Sequence, residues 1–211
     1  MEFEIGGVVF SEPVTAFTNL ILAAICFYAF RISKGISSYP GKSSWSAFFL
    51  TLGLATFIGF FTHLFSAYEI HYLRLIGWVF SGMAAYFTQV ASIEQLSGKK
   101  TGFFMLVSKI EFVSFLILLY YFQTFEVVLV ITVIALLVVL SIHGYGFISK
   151  VLKGSELILL GFIISALTAV ARLLKISFHP IYFNYHDVAH LMMMVAAFVI
   201  LAGVKQASQQ A

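Results

Sequence analysis

Seven stretches of apolar sequence, each long enough to cross a bilayer, follow one another along this chain. They cover roughly 13–33, 45–67, 72–96, 102–122, 126–147, 155–175 and 184–205. A span needs about 20 mostly apolar residues, because the hydrocarbon layer is about 30 Å thick and a helix rises about 1.5 Å per residue. Short polar links separate the runs, such as Lys34 to Ser44 and Ser97 to Thr101. The pattern predicts an all-α, polytopic membrane protein of seven transmembrane helices, forming one domain over residues 1–211. Start signals support several boundaries. Ser11-Glu12-Pro13 sets a capping residue before a first-turn proline, Gly154-Ser155-Glu156 opens the sixth run, and Asn184 is placed to cap the seventh.

Composition sharpens this reading. Hydrophobic residues make up 61% of the chain and charged residues 10%, against roughly 25% charged in a soluble domain. Such a chain has too little polar surface to face water, so membrane lipids are its expected partners. The net charge of +3 comes from basic residues scattered in ones and twos, which gives no nucleic-acid partner. The acidic start Met1-Glu2-Phe3-Glu4 lacks the basic region of a cleaved signal peptide. The single cysteine, Cys26, sits in an apolar run and reads as packing.

The cations set an orientation. Arg31, Lys34, Lys42, Lys99, Lys100, Lys150, Lys153 and Lys205 fall at one set of helix ends, and Arg74, Arg172 and Lys175 at the other. The richer side is cytoplasmic by the positive-inside rule. The N-terminus is therefore expected outside and the C-terminus in the cytoplasm.

Ionisable groups at membrane depth are costly and mark function. Here they gather at the outside ends: Glu12, Asn19, His63, Arg172, His186, Asp187 and His190. His186 and His190 are four apart, hence on one helix face about 5–6 Å from each other. With His63 at similar depth, three imidazoles would converge on one ion at Zn–N distances of about 2.0–2.1 Å, the ligand set of an open, catalytic-type zinc site. The alternative is three interfacial histidines bonded to neighbouring helices. Asp187 has its own alternatives, a helix cap or a partner for Arg172. Asn19 reads as an interhelical hydrogen-bonding residue. Lys109 and Glu111, inside the fourth run, read as structural groups with Glu94 or His143 as partners.

Three blocks give the chain a resemblance. They are Glu12-Pro-Val-Thr-Ala-Phe-Thr-Asn19, Gly59-Phe-Phe-Thr-His63 followed by Tyr68 and Glu69, and His186-Asp-Val-Ala-His190-Leu191. In order and helix number they resemble the alkaline ceramidases and their superfamily of seven-span membrane hydrolases, which includes the progestin and adipoQ receptors. The resemblance implies a zinc ion on His63, His186 and His190, and hydrolysis of an amide or ester bond in a lipid. It also exposes two departures. The family's serine four residues before the second-helix histidine is here Gly59, and its aspartate eleven residues after is here Arg74. Those groups orient the attacking water and stabilise the oxyanion, so hydrolysis is expected to be weak or altered. Asp187 or Glu69 is then the candidate base and Arg74 the candidate oxyanion donor. The rival functions are a non-catalytic, lipid-binding or receptor-like relative with a structural metal, and a small transporter. No internal repeat supports the transporter.

Overall fold

The computed structural model describes residues 2–68, 70–96, 101–180 and 182–210. Seven long helices dominate: α1 (Pro13–Gly35), α2 (Lys42–Leu64), α3 (His71–Glu94), α4 (Thr101–Phe122), α5 (Phe125–Ser149), α6 (Ser155–Leu173) and α7 (Tyr185–Ala207). Each matches one apolar run, with ends shifted by up to a few residues. By length and composition, six of them can cross a membrane; α3 is not among the six. The reason lies in its sequence: α3 buries Thr88, Gln89 and Ser92 along with Gly77, Gly82, Ala84 and Ala85. The polar groups of its C-terminal half face other helices.

The packing order explains that. α1 lies against α2 and α7, α2 against α3, α3 against α5, α5 against α6, and α6 against α7, closing a ring of six. α4 stands outside it, against α3 and α5. On α4 only Ser108, Phe115 and Leu119 are buried, a single stripe at helical spacing. Phe103, Leu106, Ile110, Val113 and Ile117 point outward, as a lipid-facing helix requires.

The inner core is aromatic. Trp45, Phe48, Phe49 and Phe162 pack with Ile158, Ile200 and Val204. α6 and α7 approach more closely still. A Cβ on Gly154 would stand 2.2 Å from the Gly203 carbonyl oxygen, and Gly154 itself has φ +78°. Only glycine permits both the contact and that backbone.

Polar side chains tie the ring together. His143 on α5, fully buried, lies 3.1 Å from Ser155 Oγ on α6 and 3.2 Å from Ser92 Oγ on α3. Ser92 gives its proton to the Thr88 carbonyl, so it accepts from His143 Nε2–H, and Nδ1 accepts from Ser155. Glu111 accepts from Gln89, whose own carbonyl oxygen accepts from Ser108. Glu94 accepts from Ser44. Of the two charged residues inside α4, Glu111 has Gln89 as its partner in place of the expected Glu94 or His143, and Lys109 is exposed.

One element was not foreseen. Residues Glu2–Ile5 (β1) and Val8–Ser11 (β2) form an antiparallel hairpin, with Glu2 opposite Ser11 and Ile5 opposite Val8. The alternating Glu-Phe-Glu-Ile and the Gly6-Gly7 pair were its signal. Both glycines have positive φ, 58° and 81°, as a type I′ hairpin turn requires. The hairpin docks on the α2–α3 link: Val9 N–H donates to Tyr68 Oη at 2.9 Å, and Phe10 packs on Phe65.

Candidate functional site: a histidine cluster at one end of the bundle

Glu12, at the end of the hairpin, caps α1 in an unusual way. Ser11 does not cap the helix; its hydroxyl donates to Glu2. Glu12 occupies the cap position with φ 44° and ψ 50°, immediately before Pro13. A left-handed conformation costs a non-glycine residue of order 1–3 kcal/mol, and the following proline disfavours helical backbone further. The turn is held by what it achieves: the Glu12 carboxylate reaches His63 in the last turn of α2, with Oε2 2.6 Å from Nδ1. A carboxylate only accepts, so the His63 Nδ1 carries a proton, and in the neutral ring the lone pair is on Nε2. That hydrogen bond holds the Glu12 carboxyl below its ordinary range, against the opposing effect of partial burial. Both groups remain open to solvent, at 28% exposure for His63 and 39% for Glu12.

α7 begins with a complete capping box. Asn184 Oδ1 accepts from His186 N–H at 2.7 Å, and Asp187 Oδ2 accepts from Asn184 N–H at 2.7 Å. Asp187 is 1% exposed. Its other oxygen faces the Thr18 hydroxyl on α1 at 3.4 Å, and that hydroxyl lies 2.8 Å from His190 Nδ1 and 3.0 Å from the Thr15 carbonyl. The single Thr18 proton faces two oxygens that can only accept. His190 is then the donor, through Nδ1–H, and its Nε2 keeps a lone pair. His186 lies beside this pair and its ring makes no hydrogen bond among the described residues. The ring centroids of His63 and His186 are 5.7 Å apart, and those of His63 and His190 6.2 Å.

The structure thus brings all three predicted histidines together from α2 and α7. It does not draw them into a closed cage: among the described residues no group of three or more His, Cys, Asp and Glu stands at ligating distance. A Zn–N bond of about 2.0–2.1 Å in a tetrahedron sets ligand rings about 5 Å apart between centroids. The two separations from His63, 5.7 and 6.2 Å, are wider than this by roughly 1 Å. The donor chemistry fits a metal: each Nδ1–H of His63 and His190 is held by an acceptor, the outer support usual for metal-ligating histidine.

The other predicted residues fall differently. Asp187 serves the α7 cap and, through Thr18, His190; among the described residues it does not pair with Arg172. Arg74 is exposed on the first turn of α3 and forms no side-chain hydrogen bond or ion pair with the histidines. Glu69 lies outside the described residues. Asn19 is buried and donates to its own helix at the Thr15 carbonyl. Its amide fills the space over Gly59, with Oδ1 3.0 Å from where a Cβ would stand. Thr15 and Thr18 were the residues missed. Their spacing with Asn19 at i, i+3 and i+4 already placed all three on one face of α1.

An all-α, polytopic integral membrane protein with a polar, histidine-lined end is the class these features define. Residues 14–209 match a family of unknown function, DUF6962, and the chain belongs to that family. Comparison with curated proteins and with solved structures gives no match.

Proposed function

We propose that this protein is a zinc-containing membrane hydrolase of lipids, related to the alkaline ceramidases. In this reading it has seven spans, including α3, with the N-terminus outside and the C-terminus in the cytoplasm. The observation that carries the reading is the paired locking of His63 by Glu12 and His190 by Thr18 and Asp187, with His186 beside both. His63, His186 and His190 would hold the ion. Zinc supplies Lewis acidity, polarising a carbonyl and acidifying a water.

The chain's own residues divide the remaining work. Glu12 and the Thr18–Asp187 pair fix the tautomers and ring directions of two histidines. Asp187 is a positioning residue, because its oxygens are committed to the α7 cap and to Thr18. Glu12 is the more exposed carboxylate and the one next to water, so it is better placed than Asp187 to take a proton. Asn19 stands where the family's serine would project, and an amide is a competent oxyanion donor. The amide bonds to Thr15, however, and Arg74 is turned to solvent. Both observations favour slow hydrolysis over ceramidase-level turnover.

Metal content tests the reading. Purified wild type is expected to carry about one zinc per chain, and His190→Ala to lose it. Wild type without zinc would overturn the proposal. Acyl release from lipid amides and esters then separates hydrolase from silent relative: activity abolished by His190→Ala supports the enzyme, and zinc without any acyl release supports the receptor-like alternative.

A further inference from the structure

Among the described residues, the charges around the histidines do not balance. Glu12 is committed to His63, and Asp187 to Asn184 and Thr18. Arg172, in the last turn of α6, is exposed and among the described residues bonds to no carboxylate. It nonetheless lies level with the first turn of α7, because α6 and α7 pack antiparallel, with Gly154 against Gly203 and Gly161 against Ala196 and Ile200. Its described contact is with the face of Phe125, at 5.8 Å. A cation–π contact uses the charge and not the N–H fork, so the planar donors stay available to a ligand.

The neighbouring chain has matching chemistry. Lys175, three residues on, is exposed, and its left-handed backbone (φ 52°) turns the chain back so that its N–H bonds the Arg172 carbonyl at 3.1 Å. Around these two cations lie Leu173 at 82% exposure, Leu174 at 65% and Phe178 at 79%. Large apolar side chains this open are costly in water and at home among acyl chains. Two cations within one turn, set in an apolar surface at the histidine end of the bundle, suit a ligand with an anionic head and an acyl tail.

We propose that Arg172, assisted by Lys175, is the headgroup anchor of the histidine site, and that the lipid it takes carries a phosphate. This deepens the reading of the histidine cluster as a lipid site and rests on it. A bidentate arginine beside a second cation favours a phosphate over a single carboxylate. A neutral lipid amide, the substrate of the resembling ceramidases, leaves both cations without an anionic partner among the described residues.

The test compares three probes on detergent-solubilised full-length protein: short-chain phosphatidate, diacylglycerol with the same chains, and inorganic phosphate. The readout is the ratio of phosphatidate to diacylglycerol affinity within each variant, which partial misfolding does not mimic. Wild type is expected to prefer phosphatidate by about tenfold or more, the worth of a charge-assisted pair of about 1.5 kcal/mol or above. Arg172→Gln should bring the ratio near one, and Arg172→Lys should leave it between the two. Equal binding of the two lipids by wild type overturns the proposal, as does an unchanged ratio in Arg172→Gln. Should that variant fail to fold, an unchanged ratio in Arg172→Lys overturns it. Inorganic phosphate binding as tightly as phosphatidate overturns the lipid assignment. Zinc is assayed on the same preparations. An Arg172-dependent preference in zinc-free wild type sinks the metal reading and leaves this one standing; zinc-loaded protein without the preference does the reverse.

Discussion

Thr18 has one proton and three partners, and the tautomer of His190 depends on it. Without the hydroxyl, His190 loses the acceptor for Nδ1–H and Asp187 loses its link to the ring. Thr18→Val, nearly isosteric, is expected to weaken zinc binding by about 10–100-fold, the usual cost of a lost outer-shell partner, while Thr18→Ser retains it. Competition with a chelator of known affinity measures both; equal affinities would show that Thr18 does not orient the ring. Gly59 behaves otherwise. Restoring the family's serine there is not a simple addition, because Asn19 already occupies the space. At the opposite pole of polarity, His143 has its donor and acceptor fully used between Ser92 and Ser155. His143→Ala leaves both hydroxyls short of a partner and is expected to cost about 1–2 kcal/mol. Thermal unfolding in detergent should show the drop.

Among the elements, the α6–α7 pair and the hairpin carry the sharpest expectations. A methyl at position 154 meets the backbone of α7, which cannot yield as a side chain can. Gly154→Ala should therefore separate the two helices at that end and cost about 2–3 kcal/mol. Gly102→Ala, with nothing within 4 Å of its Cβ, is the neutral control; equal unfolding temperatures would refute the close-packing argument. The hairpin is held by fewer contacts. Tyr68→Phe removes the acceptor of the Val9 amide and should speed hydrogen exchange at Val9, with about 0.5–1.5 kcal/mol lost. Because Glu12 continues directly from β2, the same change should loosen the grip of Glu12 on His63.

At the scale of the whole molecule, α3 decides whether the chain crosses the membrane seven times. It is as long as its neighbours, but its apolar content falls short because it buries hydroxyl and amide groups against α2, α4 and α5. Single cysteines replacing Tyr72 and Gln95, at its two ends, are expected to label from opposite sides of the membrane. Labelling from one side would reduce the count to six and place the two termini on the same side. Cys26 is buried and should give little background.

The apolar runs by themselves determined that the chain is helical and membrane-embedded, and they located seven helices to within a few residues. The reason is that lipid imposes one local rule on every span: backbone polar groups must be satisfied within the helix, and side chains must be apolar over a fixed length. The i, i+4 spacing of His186 and His190 was legible for the same reason, being a property of one helix. The fold alone decided which side chains meet across helices. It put α4 outside the ring, paired His63 with Glu12, and joined His190 to Asp187 through Thr18. It also made Asp187 a cap, sent Arg74 to solvent and left Arg172 without a carboxylate among the described residues. These outcomes depend on helix order and rotation about each axis. Hydropathy is blind to both, because in lipid an outward apolar residue and an inward one look alike along the chain.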